Sequence, residues 1–362
     1  MTDDRASGGA GPELVDVRAV QEAAGRLEGV ALRTPLLPGE LPGGVRVWLK
    51  CESLQHAGAF KVRGAYNFVS LLPGDRREAG LVTFSSGNHA QGVAYAAREF
   101  GVPATIVMPT DAPAVKLAGT RRLGGRVVQC GTTTVERKAR AEEILEEEGG
   151  TMVPPFDHPD IIAGQGTVAL ELWDQLDEAA SRGEGAVGDP GLVLVPIGGG
   201  GLISGCAAVL RELAPDCRVV GVEAEGAASM KVSLEAGHPV QLEKVDTIAD
   251  GLKPVRPGDL TFAHVRELVD EVVTVTDDAI VEAVRWCFRR RLVVEPSGAA
   301  TIAALISGVV DTAGGGGGDV AAVLSGGNVD PAMLAGWIED MTEEGAAGDE
   351  EAAGSAREGE GA

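Results

Sequence analysis

Residues 192–201 read Leu192-Val-Leu-Val-Pro-Ile-Gly-Gly-Gly-Gly201, an apolar run that passes directly into four glycines. A short aliphatic run bounded by glycine predicts a buried strand, and a helical pattern starts near Leu202. Glycines at a strand-to-helix joint let backbone N–H groups converge on an anion, and the helix N-terminus adds a favourable dipole. No Gly-Lys-Ser/Thr follows, so this is not the P-loop pattern. A dinucleotide reading stays open, since Glu223 lies about 20 residues on, but the loop sits late in the chain. A cradle for a single phosphate fits better, and an ordinary tight turn is the bland alternative.

Outward from this joint the chain alternates short β-branched runs with helical patterns, which predicts an α/β fold with a mainly parallel sheet. Upstream, Leu81–Phe84, Ala104–Met108 and Arg126–Cys130 read as strands. Helices are expected over Ala90–Phe100, Lys116–Leu123 and Glu136–Glu148. A further helix is predicted over Ile161–Leu176, then a polar linker over 180–191. Downstream, Val219–Glu223, Val272–Val275 and Val320–Leu324 read as strands, and Asp277-Asp278 as the cap of a helix reaching Arg291. Gly314–Gly318 reads as a flexible loop.

The net charge of −23 argues against nucleic-acid binding, since no basic stripe exists to neutralise phosphates. Part of that charge is local: residues 341–362 hold seven acids and one arginine among Gly and Ala. This tail and residues 1–11 are expected to be disordered, for neither can bury enough apolar surface. No apolar run is long enough to span a bilayer, and the polar start is not a signal peptide, so a cytoplasmic protein is expected. Five cysteines (Cys51, Cys130, Cys206, Cys217 and Cys287) lack metal or redox spacing and read as reduced core thiols.

Two other segments carry chemistry. Gly58-Ala-Phe-Lys-Val-Arg-Gly64 sets Lys61 beside an aromatic residue in a turn-prone stretch. A lysine that forms a Schiff base must lose its proton near neutral pH, and partial desolvation lowers its pKa. Alone, Lys61 would be read as a solvated surface charge. Ser85-Ser-Gly-Asn-His-Ala-Gln-Gly92 also joins a strand to a helix, where side chains and free N–H groups can grip a carboxylate or a phenolate oxygen. An ordinary N-cap at Ser86 or Asn88 is the structural alternative, and His89 reads more readily as a packed core histidine than as a catalyst.

Taken in order, these segments resemble the threonine/serine dehydratase and serine racemase branch of the fold-type II pyridoxal-phosphate enzymes. The likeness runs from about Val15 to Ile338. It also takes in Arg33-Thr-Pro-Leu36, Lys50-Cys-Glu-Ser-Leu-Gln55, Val107-Met-Pro109 and Gly164-Gln-Gly-Thr167. Further on it includes Val222-Glu-Ala-Glu-Gly226, Thr247-Ile-Ala-Asp-Gly251, Glu295-Pro-Ser-Gly298 and Ser325-Gly-Gly-Asn328. The resemblance implies two open, twisted, mainly parallel sheets flanked by helices, with pyridoxal 5′-phosphate in a cleft between two domains. Residues 12–75 and 158–340 would form the large cofactor-binding domain and 76–157 the small one.

The family implies Lys61 as the Schiff-base lysine, Phe60 packed beside the cofactor and Asn88 bonded to its 3′-oxygen. Gly198, Gly199, Gly200, Gly201 and Leu202 would hold the phosphate, and Ser325 the pyridine nitrogen. A neutral hydroxyl there leaves the nitrogen unprotonated, a weaker electron sink that favours elimination. Ser85, Ser86, Gly87, Asn88 and His89 would bind the carboxylate of a hydroxy amino acid. The implied reaction removes the α-proton and eliminates water, giving a 2-oxo acid and ammonia from L-threonine or L-serine.

Ser86 matches the place where serine racemases set a hydroxyl on the face opposite the lysine, which keeps racemisation open. Glu223, Ala227 and Ser229 align with the racemases' cation site, but Ser229 replaces an aspartate, so the site would be weak or take a monovalent ion. A 3-hydroxyaspartate dehydratase would need cations near the β-carbon. A non-catalytic cofactor or amino-acid binding protein is the reading from another class. The family further implies a homodimer.

Overall fold

The computed structural model describes residues 12–85, 87–312 and 317–339. The two expected disordered ends and Gly314–Gly316 of the glycine loop lie outside the described residues.

In chain order the elements are α1 (Val17–Leu27), β1 (Leu36–Glu40), β2 (Arg46–Lys50), α2 (Lys61–Leu71), α3 (Gly74–Glu78), β3 (Leu81–Phe84) and α4 (Asn88–Phe100). Next come β4 (Ala104–Met108), α5 (Ala114–Arg122), β5 (Arg126–Gln129), α6 (Thr134–Glu148), β6 (Thr151–Met152) and α7 (Pro159–Ser181). The rest are β7 (Pro190–Pro196), α8 (Gly201–Leu213), β8 (Arg218–Ala224), α9 (Ser229–Ala236), α10 (Asp259–Leu268), β9 (Glu271–Val275), α11 (Asp277–Arg289), α12 (Pro296–Ile306) and β10 (Asp319–Val323).

They build two sheets. One has the order β1-β2-β10-β7-β8-β9, parallel except for the antiparallel β1–β2 edge. The other, β5-β4-β3-β6, is wholly parallel. Strands buried on both faces explain the continuous apolar runs. Along the larger sheet, Leu194 and Val222 enter one core, while Val193 and Val195 enter the core of the opposite face. Leu81 and Val82 divide in the same way across the smaller sheet.

Helix α2 bridges the two sheets' layers, packing on α4 and on α7. Glycines make this approach possible: a Cβ on Gly64 would fall 2.4 Å from Gln165 Nε2, and one on Gly164 2.7 Å from the Arg63 carbonyl. Under α2 lies a buried ionic cluster. Arg63 pairs with Glu52 at 2.8 Å and Glu171 at 2.7 Å, and Lys50 pairs with Glu171 at 2.6 Å.

Two sequence expectations need correction. Thr276, not Asp277 or Asp278, caps α11, its hydroxyl accepting from the Ala279 N–H at 3.2 Å. Asp277 is drawn instead to the Thr247 hydroxyl and the Ile248 N–H. Helix α7 runs on to Ser181, into the expected linker, because Ala179 continues its buried stripe. Cys51, Cys206, Cys217 and Cys287 are buried, and burial pushes each thiol up to about 12. Such thiols are packing groups rather than nucleophiles. Among the described residues no helix is long and apolar enough to cross a membrane.

Candidate active site

Three helices that begin without a side-chain cap meet between the sheets: α2 after Phe60, α4 after Gly87 and α8 after Gly200. An uncapped N-terminus presents unsatisfied N–H groups and the positive end of the helix dipole. Ser85 follows β3, Gly198 follows β7 and Ser325 follows β10, at the carboxyl ends of parallel strands where open α/β sheets collect ligands.

Lys61 is the first residue of α2, and its Nζ donates to the Pro155 carbonyl at 2.9 Å. Burial lowers its pKa to about 8. At pH 7 an amine with that pKa is roughly one-tenth neutral, whereas an ordinary lysine is about one part in three thousand neutral. The Phe60 ring centroid lies 5.1 Å from Lys61 Nζ. The Phe60 N–H donates to the Ser325 carbonyl at 3.2 Å, which ties the lysine turn to the end of β10. Helix α4 lies against the same turn, for a Cβ on Gly92 would sit 3.0 Å from the Lys61 carbonyl.

Phe156, next to Lys61's partner Pro155, connects the lysine to the glycine loop. A Cβ on Gly199 would fall 2.2 Å from the Phe156 ring, and one on Gly198 2.7 Å from the Gly251 carbonyl. Gly200 has φ +92°, a conformation that favours glycine. The loop carbonyls are engaged: the Thr261 hydroxyl donates to Gly199 O and the Ser204 hydroxyl to Gly200 O, both at 2.7 Å. Among the described residues no protein acceptor takes the N–H groups of Gly198, Gly199 or Gly200. Donors left over at an uncapped helix start suit a phosphate. Together with the desolvated Lys61 amine nearby, these residues fit pyridoxal 5′-phosphate, whose two anchoring groups are a phosphate and an amine-reactive aldehyde.

Gly87, rather than Ser86 or Asn88, occupies the cap position of α4, and Asn88 is its first residue. Ser86 itself lies outside the described residues. The Ser85 hydroxyl accepts from the Gly87 N–H at 3.3 Å. His89 is buried with Nε2 3.2 Å from the Val153 carbonyl. Burial, with the Lys61 charge second, lowers its pKa to about 3, so its ring stays neutral and offers no acid–base chemistry near pH 7. The Asn88 amide donates to Glu295 Oε1 and accepts from Asn328 Nδ2.

The residues expected as cation ligands each have protein contacts. Glu223 caps α9, one oxygen accepting from the Met230 N–H at 2.8 Å and the other from the Lys231 N–H at 2.9 Å. Burial pushes this carboxyl up to about 7. Ala227 packs in the core of the larger sheet, and the Ser229 hydroxyl donates to Pro254 O at 3.2 Å. Among the described residues no group of three or more His, Cys, Asp or Glu is placed to hold a metal ion.

One cluster escaped the sequence reading. The Lys116 ammonium on α5, 3% exposed, is 2.5 Å from Asp250 Oδ2 and 3.3 Å from Glu295 Oε2. A Cβ on Gly87 would lie 3.3 Å from Lys116 Nζ, so the cluster borders the Ser85–His89 loop. Asp250 and Glu295 stand in the quoted motifs, but nothing local marks Lys116 as their partner.

Residues 27–326 match the family model described as "Pyridoxal-phosphate dependent enzyme". The chain is 42% identical over 322 residues to an L-threo-3-hydroxyaspartate ammonia-lyase of Pseudomonas sp, covering 88% of this chain and 97% of that protein. It is 40% identical to an L-threonine ammonia-lyase of Thermotoga maritima, covering 89% of this chain and 77% of the relative. The solved structure of maize serine racemase superposes with a TM-score of 0.82 at 36% identity, covering 92% of this chain and 99% of that one.

Proposed function

Because the chain belongs to the pyridoxal-phosphate dependent enzymes, in the group of ammonia-lyases and amino-acid racemases, we propose that it is a threonine/serine ammonia-lyase. It converts L-threonine to 2-oxobutanoate and ammonia, and L-serine to pyruvate and ammonia. The observation that carries this reading is the desolvated Lys61 amine, held by one carbonyl between the glycine loop and the Ser85–His89 loop. When bound, the cofactor supplies an electron sink for negative charge at the substrate α-carbon.

The chain's own residues supply the rest. Lys61 Nζ would hold the cofactor, and its freed amine would accept the α-proton of the substrate. Gly198–Leu202 would hold the phosphate through backbone N–H groups, Phe60 would pack beside the ring, and the Ser325 hydroxyl would serve the ring nitrogen. Ser85, Ser86, Gly87, Asn88 and His89 receive the substrate carboxylate at the start of α4. His89 contributes its backbone there, since its neutral ring is turned to Val153. Loss of the α-proton and of the β-hydroxyl as water leaves an enamine, which hydrolyses to the 2-oxo acid and ammonia.

Gly199→Ala tests the cradle. Its methyl would collide with the Phe156 ring at 2.2 Å, and losing one charge-assisted hydrogen bond weakens cofactor retention by about tenfold. Dilution of the holoenzyme, followed by its visible absorption, measures this; retention equal to wild type contradicts it.

The charges beside Gly87 favour an uncharged β-substituent. Lys116 is already matched by Asp250 and Glu295, which leaves no surplus positive charge for a second substrate carboxylate. The expected result is a higher kcat/KM for L-threonine and L-serine than for L-threo-3-hydroxyaspartate, read from 2-oxo acid release. The reverse order would move the substrate to the hydroxyaspartate class. Serine racemisation is the second reading: the likeness to maize serine racemase favours it, and Ser86 is its candidate base.

A further inference from the structure

The polar groups around Asn88 leave it a single unused hydrogen. Asn328 Nδ2 has two hydrogens, one given to the Ala57 carbonyl at 2.8 Å and one to Asn88 Oδ1 at 2.9 Å. The Asn88 oxygen therefore faces Asn328, and its NH2 group faces Glu295, to which it donates one hydrogen. Turning the amide over would set NH2 against NH2 on one side and oxygen against a carboxylate on the other. Glu295 cannot follow such a turn. It is 1% exposed, and its second oxygen is held by Lys116 at 3.3 Å. The backbone is shaped to admit it, because a Cβ on Gly326 would fall 2.2 Å from Glu295 Oε1.

We propose that Glu295 and Asn328 are positioning residues that lock the Asn88 amide, so that its one remaining N–H is presented to the 3′-oxygen of the bound cofactor. This rests on the reading of Asn88 as a cofactor contact. An amide held at both ends enters that contact already ordered, whereas a free amide must lose rotamer freedom and choose between two orientations. Lys116 lies on α5, beside the smaller sheet, while Glu295 and Asn328 flank elements of the larger sheet's side. The clamp thus spans both sides of the site.

The test uses holoenzyme of the wild type, Asn88→Ala, Glu295→Ala, Glu295→Gln and Asn328→Ala. Two quantities are read: the ratio of the cofactor's two tautomeric absorption bands at fixed pH, and cofactor retention on dilution. Asn88→Ala, Glu295→Ala and Asn328→Ala are expected to shift the band ratio in the same direction and to weaken retention by about fivefold, the worth of one hydrogen bond. Glu295→Gln keeps an acceptor for Asn88 and stays near wild type. A purely packing role for Glu295 would lower stability without moving the bands. If Asn88→Ala shifts the bands while Glu295→Ala and Asn328→Ala do not, the clamp is wrong and the cofactor contact stands. If Asn88→Ala leaves the bands unmoved, the contact itself fails and takes the clamp with it. Should Glu295→Ala not fold, Asn328→Ala decides alone, since it frees the other end of the same amide.

Discussion

Replacing Lys61 by alanine is expected to lower 2-oxobutanoate formation from L-threonine by about 10⁴-fold or more, because one side chain serves as both cofactor anchor and proton acceptor. Folding should be nearly unaffected. Lys61 Nζ makes one hydrogen bond, to Pro155 O, and its removal relieves the cost of a buried amine. Circular dichroism and the thermal midpoint of the variant should therefore match wild type, while the visible absorption of the bound cofactor is lost. A folded variant that keeps more than about one-hundredth of the wild-type rate would show that another group moves the α-proton.

Arg63→Ala is expected to cost about 3–5 kcal/mol of stability, the penalty for stranding buried charges. Arg63 is 1% exposed and spends its donors on Glu52, Glu171, Thr167 and the Leu32 carbonyl. Burial alone would push the Glu52 carboxyl up, but the Arg63 guanidinium, together with Lys50 and the Thr34 hydroxyl, offsets this and holds it below the usual range. Without Arg63, Glu52 keeps the Thr34 hydroxyl at 2.5 Å, and Lys50 keeps Glu171. The α2 turn that carries Lys61 sits directly on this network, so cofactor retention should fall along with stability. Chemical denaturation measures the first effect; a loss below about 1 kcal/mol would mean that the site collapses or hydrates without cost.

The parts of the fold legible in the sequence are those whose cause is local. Leu192–Ile197 announces a doubly buried strand because both faces need apolar side chains, and the tetraglycine announces a close-packed strand-to-helix joint where a Cβ would collide. Lys61 became interpretable only beside two other segments, since a lone lysine carries no sign of its own burial. Partnerships across long chain separations were not legible. Lys116 meets Asp250 and Glu295, 134 and 179 residues away, and such contacts leave no periodicity to read. Glu223 shows the same limit: its sequence neighbourhood does not reveal that both its oxygens accept from backbone N–H groups at the start of α9. The α11 boundary failed for a tertiary reason too, because Thr247 and Ile248 draw Asp277 from the cap and leave that role to Thr276.

The central claim, elimination in preference to inversion at the α-carbon, is tested most directly by giving L-serine to the purified holoenzyme and quantifying pyruvate and D-serine in the same reaction. Elimination predicts pyruvate as the main product, dependent on Lys61, with an Ser86→Ala variant keeping most of that activity. D-serine in excess of pyruvate, lost in Ser86→Ala, would contradict it and make the protein a racemase.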